Sequence, residues 1–240
     1  MLRAMKHRRI LPVLAVVAAL AVAASGFGAR FGVWNFQMGF QILRYAAYAG
    51  LAIAAISLVG LLIPTVRARR AGVLATALVI ALAGAGMPLY WMHVARAVPP
   101  INDITTDPDN PPMFVSILPQ RASAPVPASY PGKQTADAQR AGYPDLHPIT
   151  MAKPPAEAFA AALAAARAMD WQIIATDAAN GRIEATALTP WFGFRDDVVI
   201  RVAPDGAGSR VDIRSVSRVG KSDLGANARR IRDFTGRITQ

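Results

Sequence analysis

The residues most able to do chemistry are concentrated between Arg182 and Asn227. In R-I-E-A-T-A-L (182–188), D-V-V-I-R-V (197–202) and R-V-D-I-R-S-V-S (210–217), apolar and polar side chains alternate. That period of two marks strands with one buried face. Glu184, Asp197, Arg201, Arg210, Asp212, Arg214 and Arg218 then fall on one face of a sheet. Ile183, Ala185, Val198, Ile200, Val202, Val211 and Ile213 fall on the other. Carboxylates gathered on a face can do acid–base work only inside a closed cleft, and Arg214 and Arg218, about 13 Å apart along a strand, cannot jointly grip one small anion. The plainer expectation is a solvated lattice of cross-strand pairs, each contributing about 0.2–1 kcal/mol. Asp196 and Asp197 are neighbours on one strand and point to opposite faces, so they form no paired-carboxylate dyad.

Two further stretches hold candidate residues. V-G-K-S-D-L-G-A-N (219–227) carries Ser222 or Asp223 as the cap of a last helix and ends on Asn227. Arg218 and Lys221 beside that helix start suggest a phosphate or carboxylate cradle, although Asp223 itself would occupy the positive end. Arg218 is expected to pair with Asp223 across the turn at Gly220, and Arg214 with Asp197 or a sheet neighbour. In T-P-W-F-G-F (189–194), Trp191, Phe192 and Phe194 either close the end of the sheet over the core or expose an apolar patch for lipid or a partner. The candidate binding residues are therefore Glu184, Trp191, Asp197, Asp212, Arg214, Arg218, Asp223 and Asn227.

Nucleophilic catalysis finds little support. The chain has no cysteine, which removes disulfides, thiolate metal sites and Cys nucleophiles. A Ser-His-Asp constellation would need His147 against Ser215 or Ser217, with no nucleophile-elbow motif present. The order of elements that must position these residues reads β-α-β-β-β-β-α. A strand at L-H-P-I-T-M (146–151) precedes a helix over 155–169 and a strand at 171–176, which turns through Asn180-Gly181 into the three strands above. A helix from about Asp223 to Ile238 follows. The fold class expected is α+β, an antiparallel sheet with both helices packed on one face and the other face wet.

The rest of the chain concerns placement. Ile10–Ala29, Tyr45–Val66 and Ala71–Ala95 are apolar runs long enough for three N-terminal transmembrane helices. Residues 1–95 carry nine Lys/Arg and no acid, whereas 96–240 carry 17 basic and 15 acidic side chains. The formal net charge of +11 is thus a topology signal, and nucleic acid is not an expected partner. Arg3, Lys6, Arg8 and Arg9 precede the first run, and R-A-R-R (67–70) is read as the loop between the second and third. Basic short segments stay cytoplasmic, which puts the N-terminus inside and the C-terminal domain in the periplasm of a multi-pass inner-membrane protein. A basic start and A-V-A at 21–23 also fit a cleavable signal peptide. Residues 30–44 are expected to lie as an interfacial helix, with a docking surface for a membrane partner as the alternative. His93 ends the third run as an interfacial polar residue.

Thirteen of the 18 prolines lie between Pro99 and Pro155. Residues 96–145 are therefore read as an extended connector between a 1–95 anchor and a 146–240 domain, with 121–133 its most mobile part. I-N-D-I-T-T-D-P-D-N-P-P (101–112) lacks the Gly and Glu of an EF-hand loop, and Asx-turns explain its acids better than calcium does.

R-I-E-A-T…W-F-G-F-R-D-D-V-V-I-R-V, V-D-I-R-S-V-S-R-V-G-K-S-D-L-G-A-N and the 101–112 segment together resemble a bacterial and plastid family, domain of unknown function 1499. The resemblance spans roughly 100–240 and implies no activity, because the family has none established. Some members carry a cysteine in the opening segment; this chain has none, so a redox role does not carry over. The function expected is a membrane-tethered cell-envelope binding or scaffold module without a cofactor. Its partners would be membrane lipids at the spans and an envelope protein or lipid ligand. The alternative is an extracytoplasmic hydrolase-like enzyme using Glu184, Asp197 or Asp212.

Overall fold

A computed structural model describes residues 10–239, which divide into two compact units. Of the described residues, 10–94 with Pro190–Gly193 form the first and 95–189 with 194–239 the second.

The helical unit holds α1 (Ile10–Arg30), α2 (Phe36–Leu62) and α3 (Pro64–Ala97), each long and apolar enough to cross a membrane. Small residues let the helices approach closely. Ala15, Ala18, Ile53, Ala54, Ala77 and Ala81 form the buried seam. A Cβ on Gly84 would press on Ala19, and one on Gly60 on Leu74. Two expectations change here. Residues 36–44 do not form a separate interfacial helix; they are the first turns of α2, opened by the Asn35 side chain accepting from Met38 N–H at 2.8 Å. R-A-R-R is not a loop, because the break comes at Ile63 and Pro64 opens α3, where a missing N–H costs nothing. Arg3, Lys6, Arg8 and Arg9 lie outside the described residues.

The second unit is an antiparallel sheet with helices. Its strands are β1 (Asp103–Thr105), β2 (Ile149–Met151), β3 (Gln172–Asp177), β4 (Arg182–Leu188), β5 (Arg195–Asp205) and β6 (Gly208–Ser217). They run in the order β1-β6-β5-β4-β3, with β2 also on β6. Asn180-Gly181 makes the β3–β4 turn. Gly181 has φ 61°, and a Cβ there would strike the Val202 carbonyl. The helices are α4 (Leu118–Arg121), α5 (Lys133–Gly142), α6 (Pro155–Ala168) and α7 (Ala226–Ile238). Ala158, Ala162 and Ala166 of α6 and Ile231 and Phe234 of α7 pack on Ile183, Val198, Ile200, Val211 and Ile213, the face that alternation assigned to the core.

Residues 96–145 depart from the expected extended connector. They supply an edge strand, α4 and the ten-residue α5, where proline is absent between Lys133 and Gly142. The 121–133 stretch is tied down as well, since Arg121 donates to the Val126 carbonyl at 3.0 Å and Arg214 to that of Ala128 at 2.8 Å.

Candidate functional site

The charged face of the sheet is covered over Glu184, Asp197, Asp212 and Arg214, whereas Arg201 and Arg210 stay partly exposed. Phe114 and Ile117, from the proline-rich segment, pack with Val199 and Val216 to cover it. Glu184, Asp197 and Arg214 are 0% exposed and Asp212 1%, so the expected wet face is a second buried layer. The physical reason is that each charge finds a partner in the cover or the sheet, without which burial would be prohibitive.

Glu184, on β4, accepts backbone N–H groups of Val115 (2.9 Å), Ser116 (3.0 Å) and Ile117 (2.9 Å), and Arg182 Nε lies 3.2 Å away. Its carboxylate thus fixes the covering chain by main-chain bonds. Arg214, on β6, pairs with Asp103 of the adjoining β1, the sheet neighbour expected as the alternative to Asp197; its Nε reaches Oδ1 at 2.9 Å and Nη2 reaches Oδ2 at 2.7 Å. Its remaining donors go to the carbonyls of Pro112 and Ala128, and Phe114 and Tyr130 rings flank the guanidinium. Burial pushes the Tyr130 hydroxyl up to about 12.

Asp197 gathers Arg218, at 2.8 and 2.9 Å, the Thr186 hydroxyl at 2.7 Å and Arg121 Nη1 at 2.5 Å. Burial opposes its ionisation, but the hydrogen bonds from Arg218, Thr186 and Arg121 outweigh that and hold the carboxyl below its ordinary value. Arg218 therefore does not pair with Asp223. Asp196 points the other way, to Arg230 of α7 at 2.6 Å, as strand alternation requires.

Asp223 does serve the last helix, from further back than expected. The helix begins at Ala226 after Leu224 (φ 53°) and Gly225 (φ 76°) reverse the chain. Asp223 Oδ2 accepts Asn227 N–H at 2.7 Å and Oδ1 accepts Gly225 N–H at 2.8 Å. Burial still holds its carboxyl above the usual range. Asn227, fully buried, accepts from the Ser215 hydroxyl at 2.7 Å and donates to Ser217 Oγ at 3.1 Å and the Asn102 carbonyl at 3.0 Å. These serines lock the helix to the sheet, and no His stands beside them in that network. Trp191 belongs with the helical unit, its indole N–H on the Ala23 carbonyl at 2.9 Å and its ring against Phe192, which meets Phe40.

An open cavity lies elsewhere in the second unit. A cleft of about 680 Å³ is lined by Thr106–Asn110, Gln139, Arg140, Tyr143–Pro144, Leu146–Pro148 and Arg210. None of the candidate binding residues from the sequence lines it. Asp107 takes Arg210 at 2.6 Å and Arg201 at 2.9 Å, and both arginines also reach Asp212. Arg140 pairs with Asp109 at 2.6 Å. Asp103, Asp107 and Asp109, weighed above for calcium, are thus all engaged by arginine. The sequence signal that marks the cleft is the Asp-Pro-Asp-Asn run (107–110), read above as Asx-turns, together with the Tyr-Pro-Asp-Leu-His-Pro run (143–148), whose last three residues were read as the start of a strand.

The profile of the family described as "Protein of unknown function (DUF1499)" matches residues 103–238, the span that carries both the covered face and the cleft. No curated protein matches the chain. Among solved structures, the crystal structure of Ara h 8.0201 aligns over 39% of this chain and 95% of its own, at 12% identity and a TM-score of 0.21.

Proposed function

The chain belongs to the DUF1499 family of proteins of unknown function, and from that premise we propose that it is a membrane-tethered, non-enzymatic binding module of the cell envelope. One observation carries this reading. The carboxylates best suited to catalysis, Glu184, Asp197 and Asp212, are buried and committed to structural partners, while the cleft beside β6 stays open. A general acid or base needs access to its substrate, and these groups have none. That weighs against the hydrolase alternative and moves the binding role to the cleft.

The placement supports the same reading. Three helices of spanning length, with Arg67, Arg69 and Arg70 between the second and third apolar runs, favour a cytoplasmic N-terminus and a periplasmic C-terminal unit in the inner membrane. Membrane lipids are then the partners of α1–α3, and the ligand of the second unit comes from the envelope. A photo-crosslinking amino acid at position 147, on the cleft wall, tests the proposal in native membranes. The expected result is a discrete adduct, absent when the same group is placed at exposed Gln172 on β3, at the opposite edge of the sheet from the cleft. No adduct at 147, together with hydrolytic activity lost on Asp212→Asn, would replace this reading with the enzyme.

A further inference from the structure

Resting on that binding reading, we infer that the cleft takes a neutral, polyhydroxylated ligand of the oligosaccharide class. The cleft exists because the outer edge of β6 is shared by two short strands. β1 pairs with Val216–Arg214 and β2 with Val211–Ser209. Between them only Thr106 completes the edge, its N–H on the Ile213 carbonyl at 2.9 Å and its Oγ accepting Ile213 N–H at 2.9 Å. The chain departs from the edge at Asp107 and returns at Pro148, and the cleft opens between the two.

Its walls are set in advance. Pro108, Pro144 and Pro148 have fixed φ, and buried Gln139 holds Thr105 by both its N–H (3.0 Å) and its carbonyl (2.6 Å). A ligand entering such a site orders little protein, which is where much of the cost of binding usually lies. The volume of about 680 Å³ is that of a small-molecule site.

The charge pattern selects the class. Arg201 and Arg210 are matched by Asp107 and Asp212, and Arg140 is matched by Asp109. A free anion entering the cleft meets Asp107 and Asp109; a free cation meets Arg140 and Arg210. Neither gains a net opposite charge. What remains is hydrogen-bonding capacity. Among the described residues, Asp109 Oδ2, Arg210 Nη1, the Asn110 carboxamide and the His147 imidazole carry no hydrogen bond, and Asp109, Asn110 and His147 are exposed. Hydroxyl groups donate and accept at once, so they satisfy this mixture of planar donors and acceptors while every ion pair stays intact. The His147 ring adds a flat surface for the apolar face of a sugar.

Calorimetry on the full chain in lipid nanodiscs tests this, because a maltoside detergent would itself present a sugar. Chitotetraose and maltotetraose are the neutral probes, with inorganic phosphate, acetate and spermidine as charged ones. The expected result is saturable binding of a neutral probe, insensitive to added salt and weakened about tenfold by Asn110→Ala or His147→Ala. Binding of neither neutral probe overturns the inference. So does salt-sensitive binding of a charged probe that the same two substitutions abolish. If the ligand class fails while the position-147 adduct persists in native membranes, the binding reading stands; if both fail, both fall.

Discussion

Arg214 and Asp103 stand 111 residues apart in sequence and meet in a two-pronged ion pair with neither side chain exposed beyond 1%. The pair joins the first strand of the second unit to its last. Removing the guanidinium strands a buried carboxylate beneath the cover, which costs far more than losing a surface pair. Arg214→Ala is expected to destabilise by about 3–5 kcal/mol, measured by chemical unfolding. A loss under about 1 kcal/mol, the worth of an exposed pair, would mean that the face is open.

Asp197 contributes to the acid limb of stability. Its carboxyl is depressed in the folded state, so the stability it contributes is complete above the unfolded pKa and lost as pH falls through the folded one. Asp197→Asn is expected to lower stability at neutral pH and to flatten the decline below the ordinary carboxylate range. Unfolding midpoints at a series of acidic pH values read this directly. An acid limb as steep as the parent's would place the titration on other groups.

Asp223 accepts two backbone N–H groups at the start of α7. Asp223→Ala leaves them without that acceptor and is expected to cost about 1–2 kcal/mol. Thermal unfolding against the parent checks it. An equal loss in Arg218→Ala would not be evidence for their pairing, since Arg218 bonds Asp197.

Much of the sheet was legible because alternation is a local property. It placed Glu184, Asp197, Asp212 and Arg214 on one face and the valines and isoleucines on the other. What covers that face was not legible. The cover binds Glu184 through the main-chain N–H groups of Val115, Ser116 and Ile117, which no side-chain type announces. Its prolines hide any period, and Arg121, in an Ala/Ser/Pro-rich run, reads as a solvated residue until Asp197 is placed beside it. M-F-V-S-I-L (113–118) was the available clue, because Phe114 and Ile117 need a surface to bury against. In the helical unit, nothing between Phe36 and Leu62 breaks a helix, so an interfacial boundary drawn from amphipathicity alone could not hold. The cleft was not legible because its walls come from the 106–110 turn and from the end of α5 with the segment after it, and Arg140 and Asp109, which meet across it, are 31 residues apart.

Orientation has its own test. Alkaline-phosphatase fusions after residue 100 are expected to be active and fusions at Arg69 inactive, as basic segments remain cytoplasmic. Activity at Arg69 would reverse the proposed topology.

The central claim is that the charged face is sealed over Glu184, Asp197 and Asp212, and amide hydrogen exchange of the full chain tests it most directly. Val115, Ser116 and Ile117 are expected to exchange as slowly as the strand interior of β5 and to lose that protection in Glu184→Ala, while β5 keeps its own. Exchange of these three amides at unprotected rates in the parent protein would contradict the account, leaving Glu184, Asp197 and Asp212 accessible to substrate.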